Sequence, residues 1–346
     1  MMNPTFLGLD YPTLWFLVLG GLFSGYAILD GFDLGAGAWH LFFRKEQSRR
    51  VALNAIGPVW DGNEVWLVIG GGALFAGFPE VYATLLSAMY IPFMLFLMML
   101  IMRAVSIEFR SKEPMLWWRK MWDISYSVSS IMLSVLLGIV LGNVIQGIPM
   151  GADHEFTGNW ISFLNPYAIL VGITTLSIFM VHGALYLTMK TEGRLFAKLT
   201  ILLKRAIIFF VVMIVSLTMV SLVFVPQMSD RIFSQPWLGI LPLLMGAAIF
   251  FIPRFVRVRR YRPAFLLSSG VIMLLLIVVA VELYPVLLPS SSSAAHSLDI
   301  YSASSSTKSL EIMLIIAAIG APLVLSYTIF IYKTFWGKVK LDDSSY

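Results

Sequence analysis

The sequence contains no cysteine and has few charged residues. The absence of cysteine excludes disulfide bonds, thiolate metal sites and iron–sulfur clusters held by this chain. Charged residues make up 12% of the 346 residues and hydrophobic residues 59%, whereas about one quarter of a typical soluble domain is charged. This composition predicts an integral membrane protein. The net charge of +5 comes from basic residues in short loops, so it indicates membrane topology and not nucleic-acid binding.

Histidine is also scarce, with four residues in the whole chain. His40, His154 and His296 lie at or beyond the ends of apolar runs, so only His182 falls inside a predicted membrane span. One histidine cannot supply both axial ligands of a bis-histidine haem, and methionine in a membrane helix is typical of packing more than of ligation. The sequence therefore predicts no cofactor or metal site in this chain. For His182 it favours an interhelical hydrogen bond.

Long apolar runs predict an all-α integral membrane protein with about nine transmembrane helices, because each run is close to the roughly 17–25 residues that cross a bilayer. The predicted spans are 13–38, 57–76, 80–102, 122–144, 166–189, 205–225, 236–252, 264–284 and 310–333. No soluble segment is long enough for a separate domain. We therefore predict one polytopic domain over residues 1–346, with a first bundle at about 10–145, second helices at about 165–335, and a basic tail at 334–346.

Lysine and arginine alternate between the predicted loops. The basic loops are 39–56, 103–121, 190–205 and 253–263. The intervening loops carry almost no basic residues. By the positive-inside rule, the basic loops and the tail are cytoplasmic, which places the N-terminus outside and the C-terminus in the cytoplasm.

Acidic residues interrupt the first two predicted spans. Asp30 lies nine residues before the end of its apolar run, about 13 Å deep at 1.5 Å per residue, and Asp33 shares its helix face. Asp61 and Glu64 open the second span, near the inner interface. A carboxylate at the bilayer centre costs roughly 2.5–3.5 kcal/mol. Three interpretations remain open: a structural brace between helices, a proton or cation path, and a counter-ion for a ligand.

Several motifs resemble subunit II of cytochrome bd-type quinol oxidases, and the resemblance is dense over residues 10–195. The motifs include LDGFDLGAG (Leu29–Gly37), NAIGPVWDGNEVWL (Asn54–Leu67), RAVSIEFRSK (Arg103–Lys112), GNVIQGIP (Gly142–Pro149) and LNPYAILVGI (Leu164–Ile173). The resemblance implies two four-helix bundles plus one peripheral helix. It also implies a multi-pass protein of the bacterial inner membrane.

The resemblance further implies a non-haem subunit of a terminal oxidase that couples quinol oxidation to reduction of oxygen to water and generates a proton motive force. Haems b and d are then expected in a partner, the haem-bearing subunit I, with quinol as the substrate of the complex. A small single-helix subunit and bound lipids are left open as further partners, and nucleic acid is not expected. No complete active site is expected in this chain.

Acids that match Asp30, Asp33 and Asp61 are implied to line a proton path from the cytoplasm, and Glu64 continues the same series. Glu108 stands where relatives often have aspartate, and it is included in the predicted path. Two rival hypotheses remain: a proton-coupled secondary transporter, which would also keep acids at mid-membrane, and an inert assembly scaffold.

Overall fold

The protein is described by a computed structural model that covers residues 5–6 and 8–341. Its helices are α1 (Tyr11–His40), α2 (Glu46–Ile56), α3 (Trp60–Gly77), α4 (Pro79–Ala88), α5 (Tyr90–Phe109), α6 (Leu116–Gln146), α7 (Pro166–Lys190), α8 (Gly193–Phe224), α9 (Asp230–Ser234), α10 (Ile240–Arg257), α11 (Tyr261–Leu283) and α12 (Thr307–Thr334). Short strands β1 (Thr5–Phe6) and β2 (Leu9–Asp10) pair antiparallel, as do β3 (Val286–Leu288) and β4 (Leu298–Asp299).

Within the described part of the chain, eight helices are long and apolar enough to cross a membrane, and the bent pair α3–α4 makes a ninth span. This agrees with the predicted number and with the all-α class. The helices form two groups of four, namely α1, α3, α5 and α6, and then α7, α8, α10 and α11. The groups meet where α6 packs on α7 and where α1 packs on α7 and α11. The remaining long helix, α12, lies at the periphery against α1 and α3.

The predicted span at 80–102 is instead two helices. Between α3 and α4 the chain bends by 118° at Phe78, because the residue before a proline is disfavoured in helical conformation. A second break lies at Met89, between α4 and α5. Pro92 explains this break, since it has no N–H to bond the carbonyl four residues earlier and its ring clashes with that carbonyl.

The helices α1 and α7 cross with their backbones in contact. A Cβ atom at Gly35 would lie 1.8 Å from the carbonyl oxygen of Phe179, and one at Gly183 would lie 2.5 Å from the backbone nitrogen of Ala36. Small residues at such a crossing let two membrane helices approach closely. The crossing therefore fixes the position of Asp30, Asp33 and His40 on α1 relative to α7.

The basic loops meet at one end of the bundle, as their alternation predicts. Arg49 pairs with Asp123, Lys338 donates to the carbonyl of Thr191 at 2.8 Å, and the guanidinium of Arg262 lies over the Trp336 ring. At the opposite end, Ile148 bonds residues 289–291, which follow β3, and His154 contacts Glu80 in the first turn of α4. Which end faces the cytoplasm remains a prediction. Residues 342–346 of the predicted basic tail lie outside the described residues.

Candidate functional site

A buried ion pair between α1 and α5 lies at the centre of the first helix group. Nη1 of Arg103 donates to Oδ2 of Asp30 at 2.9 Å and Nη2 donates to Oδ1 at 2.5 Å. Both side chains have zero solvent exposure. Two parallel bonds of this kind are the strongest arrangement of a guanidinium and a carboxylate. Asp30 is thus held rigidly, with both of its oxygens engaged.

Asp33 lies one turn further along α1 and has a different environment. Its Oδ2 accepts a hydrogen bond from Nδ2 of Asn63 on α3 at 2.7 Å, whereas its buried Oδ1 has no protein partner. Oδ1 of Asn63 accepts in turn from the hydroxyl of Tyr332 on α12 at 2.9 Å. The peripheral helix therefore contributes to the site through one hydroxyl group. Asp33 keeps one oxygen free to accept a proton or a further hydrogen bond.

Glu64 completes what we call the central cluster, which consists of Asp30, Asp33, Asn63, Glu64 and Arg103. The Oε2 atom of Glu64 lies 3.7 Å from Nη1 of Arg103, too far for a hydrogen bond, and its side chain is 20% exposed. The cluster thus contains a carboxyl group that is close to the guanidinium but not bonded to it.

Asp61 and Glu108 are not part of the central cluster. Asp61 lies in the first turn of α3 and is exposed at the end of the bundle that carries the basic loops. Glu108 is half-buried on α5, five residues after Arg103, which turns it about 140° around the helix axis. The five predicted acids therefore separate into three that lie around Arg103 and two that lie nearer the helix ends.

Arg103 was assigned to a basic loop in the sequence analysis, and that assignment is wrong. The helix α5 continues to Phe109, so Arg103 lies within it and Arg110 is its C-cap residue, and both are almost fully buried. Their spacing of seven residues places them on one helix face with the buried Phe96. The seven-residue spacing is visible in the sequence, but it does not show that the arginines pair inside the protein, and the count of loop charges assigned both to a loop.

A second group of buried charges, which we call the inner cluster, lies at the ends of α1 and α5 that carry the basic loops. Nε2 of His40 contacts Oδ1 of Asp123, and Nε of Arg110 donates to the same oxygen at 2.6 Å. Arg49 donates to Oδ2 at 2.8 Å, while Arg110 also bonds Glu46 at 2.9 Å. The sequence predicts His40 at or beyond the end of an apolar run, but the structure buries it completely.

The hydrogen bond predicted for His182 is confirmed. Nε2 donates to the carbonyl oxygen of Ile28 at 3.1 Å, which leaves Nδ1 for the hydroxyl of Ser268 at 2.7 Å. The imidazole also stacks on the ring of Phe265, with centroids 4.3 Å apart. Three helices are joined through this one side chain.

The histidines do not form an axial ligand set for haem. Both nitrogens of His182 are engaged by protein atoms, and His40 is held by Asp123. At the opposite end of the bundle, His154 pairs with Glu80 and His296 contacts the carbonyl of Met150. Residues 5–6 and 8–341 contain no group of three or more His, Cys, Asp or Glu side chains that could hold a metal ion. The histidines of the described residues thus do not form a bis-histidine haem site.

The model of the family "Cytochrome bd terminal oxidase subunit II" matches residues 11–335. The chain is 31% identical over 369 residues to cytochrome bd-I ubiquinol oxidase subunit 2 of Escherichia coli strain K12, and 97% of each chain is covered. It is 32% identical over 329 residues to cytochrome bd ubiquinol oxidase subunit 2 of Bacillus subtilis strain 168, with 94% of this chain and 96% of the relative covered. The chain belongs to the cytochrome bd oxidase subunit II family.

A solved structure, that of bd oxidase from Geobacillus thermodenitrificans, contains a chain of the same fold. The TM-score is 0.79 at 16% sequence identity, and the match covers 94% of this chain and 98% of the other. Membership of the cytochrome bd oxidase subunit II family makes this chain a subunit of an oxidoreductase complex and a multi-pass protein of the bacterial inner membrane, as predicted. The transporter hypothesis is not favoured.

Proposed function

We propose that this chain is the non-haem subunit of a terminal quinol oxidase and that its central cluster forms part of the proton path from the cytoplasm. The haems b and d reside in the partner subunit I, where they supply the electron transfer from quinol to oxygen. His182 uses both ring nitrogens in hydrogen bonds and His40 contacts Asp123, which supports the placement of the haems in the partner and not in this chain. The contribution of this chain is to hold the partner and to carry protons that the reduction of oxygen to water consumes.

The charge balance around Arg103 is the observation that carries the proposal. One guanidinium faces three carboxyl groups, those of Asp30, Asp33 and Glu64. An ionised carboxylate buried without a positive partner is strongly unfavourable, so the second and third acids bind protons instead. Asp30 has both oxygens bonded to Arg103 and is the natural holder of the negative charge. Asp33 and Glu64 are therefore the groups that can carry and exchange a proton.

The arrangement along α3 supports a path into the cluster. Asp61 is exposed in the first turn of α3, and Glu64 lies one turn further into the bundle beside Arg103. Residues three apart share a helix face, so a proton taken up at Asp61 needs to cross only about one turn to reach Glu64. Glu108 lies near the C-terminal end of α5. We place it on the cytoplasmic side of Asp61 in this path. Asp30 acts mainly by fixing Arg103.

The proposal is tested by removing the titratable groups one at a time. Glu64→Gln and Asp33→Asn keep side-chain size but cannot carry a proton. We expect each complex to assemble with its haems and to consume oxygen more slowly per haem d, with slower voltage generation in proteoliposomes. Glu80→Gln is the matched control, because Glu80 is an exposed acid at the opposite end of the bundle.

An inert scaffold predicts a different result. In that case the central acids only brace helices, and their replacement would reduce the amount of assembled complex but leave normal turnover per remaining haem. Normal turnover in intact Glu64→Gln and Asp33→Asn complexes would refute the proton path. Purification of the tagged chain as a haem-free monomer, under mild detergent and from cells that also produce subunit I, would refute the oxidase assignment itself.

A further inference from the structure

The interface between α1 and α6 carries a continuous polar face. On α1, Asp33 and His40 lie seven residues apart, and Gly37 lies between them on the same face. On α6, the same spacing pattern aligns Asp123 with Tyr126 and with a run of buried serines. The polar face begins at the inner cluster and ends at the central cluster. It lies on a different helix pair from the path proposed along α3.

Three buried polar atoms on this face have no hydrogen-bond partner in the protein. They are Nδ1 of His40, the hydroxyl oxygen of Tyr126, and Oδ1 of Asp33. All three residues are at least 98% buried, with exposures of 0%, 2% and 0% in that order. A buried polar atom without a partner costs about 1–3 kcal/mol, so three along one face call for a physical explanation.

Tyr126 lies between the other two groups. Its ring centroid is 5.1 Å from that of His40, and its Cζ atom lies 3.1 Å from the position that a Cβ of Gly37 would occupy. Gly37 and Asp33 lie about one turn of α1 apart. A water molecule between the Tyr126 hydroxyl and Oδ1 of Asp33 would give both unpartnered atoms a hydrogen bond. The charged groups whose fields reach the hydroxyl are Arg103, Asp33 and Asp30.

We propose that His40, Tyr126 and Asp33 form a second proton branch, which joins the inner end of α1 to the central cluster through the Tyr126 hydroxyl. The inference rests on the proposed proton path and adds a route that does not pass through Asp61 or Glu64. His40 is the last residue of α1 and is followed by the exposed Leu41 and Phe42, so protons from the cytoplasm have a short distance to travel to its ring.

The proton transfer leaves His40 and Tyr126 with their starting charges and moves one proton from cytoplasmic water to the Asp33 carboxylate. Neutral His40 keeps its hydrogen on Nε2 toward Asp123 and accepts a proton from water at Nδ1. That proton then passes through a bridging water to the Tyr126 oxygen, while the phenol hydrogen leaves through a second bridging water to Oδ1 of Asp33. Tyr126 is neutral before and after the step, and His40 returns to its starting form. Asp33 accepts this proton after it has passed its own proton onward and is a carboxylate, and the transfer restores its neutral form.

Asp123 is a positioning residue in this branch. It fixes the orientation of the His40 ring and provides the negative charge that stabilises the imidazolium. Arg49 and Arg110 face the same carboxylate and limit that stabilisation, so His40 does not retain the proton. Glu46 partly offsets Arg110 at the exposed edge of the inner cluster.

The experiment uses the complete oxidase complex in proteoliposomes. Tyr126→Phe removes only the hydroxyl group, and His40→Gln keeps a donor for Asp123 but removes the Nδ1 end of the ring. With the haem spectrum unchanged, we expect each variant to lower oxygen consumption per haem d by about twofold, because the path along α3 remains, and to raise the solvent deuterium isotope effect. The double variant should be no slower than the slower single variant, because both act on one branch. Tyr167→Phe is the control, since Tyr167 bonds Ser221 in the other helix group.

Three outcomes would overturn the branch. These are wild-type turnover and isotope effect in Tyr126→Phe, multiplicative losses in the double variant, and loss of haem with normal turnover per remaining haem. If Tyr126→Phe is normal while Glu64→Gln still slows turnover, the branch fails and the path along α3 stands. If Glu64→Gln and Asp33→Asn are also normal in intact complexes, the proposed proton function fails with it.

Discussion

Replacement of Asp30 tests how the central cluster shares its single guanidinium. In Asp30→Asn the bidentate contact to Arg103 is lost, and breaking a buried ion pair by removal of one partner costs about 3–5 kcal/mol. Arginine stays protonated in a protein, so Arg103 cannot relieve the imbalance by losing a proton. Glu64, 3.7 Å from the guanidinium, can ionise and replace part of the lost charge. We therefore expect a loss of stability at the lower end of that range, about 3 kcal/mol.

The same reasoning predicts strong coupling between Asp30 and Glu64. Glu64→Gln alone should cost little, because Asp30 still neutralises Arg103. When both are replaced, Arg103 is left with Asp33 as its only nearby acid, and that carboxyl group is bonded to Asn63. The double variant should therefore lose more stability than the two single variants together, by about 1–3 kcal/mol, the range seen for residues in one charge network.

Decay of the haem d absorbance at a fixed temperature provides the assay. A loss of about 3 kcal/mol that appears in the inactivation barrier shortens the half-life by about 150-fold. Glu80→Gln serves as the control, because its exposed pair with His154 contributes at most about 1 kcal/mol. Strictly additive effects of Asp30→Asn and Glu64→Gln, or a wild-type half-life for Asp30→Asn, would refute the shared-charge account.

Three further predictions concern packing, cofactor content and topology. Gly35→Ala should destabilise the chain by an amount at the upper end of the roughly 1–3 kcal/mol that overpacking costs, because its Cβ would overlap the Phe179 carbonyl. Gly246→Ala is the control: a Cβ there would have no atom within 4 Å, so the change should be neutral or stabilising. Thermal unfolding measures both effects. The chain expressed alone should show no haem absorbance, and a stoichiometric haem spectrum would contradict this. Reporters fused after Arg50 should be cytoplasmic and those within 290–305 external, and the opposite labelling would overturn the orientation.

The helical architecture could be predicted from the sequence because hydrocarbon length imposes a simple rule on apolar runs. The rule fails where proline acts locally, as at Pro79 and Pro92, since the composition of 80–102 is apolar on both sides of the break at Met89. It also misses the amphipathic helix α2, which lies within a basic loop. Helix number therefore follows from composition, whereas helix continuity depends on single residues.

The acidic residues of the candidate site could be predicted from the sequence, but their basic partner could not. Intramembrane acids are conspicuous, so Asp30, Asp33 and Glu64 could be identified from their positions in apolar runs. Arg103 could not, because an arginine at the end of a hydrophobic run has the same appearance whether it ends a helix or pairs inside it. The distinction depends on which residue of a neighbouring helix lies at the same height. That information comes from the crossing of helices and not from any one segment.

The cost of placing acids in hydrocarbon does not apply to the second half of α1. Every residue from Asp30 to His40 is buried within this chain, so this stretch has no side that faces lipid. The helix α7 covers one side of it through the contact at Gly35, and α6 covers another through Tyr126 and Ser130, which both lie against Gly37. Glycines let the neighbours approach, and the neighbours in turn replace hydrocarbon with hydrogen-bonding groups around Asp30 and His40. The acids are therefore compatible with the membrane because the surrounding helices provide a polar interior, and that interior is what a proton path requires.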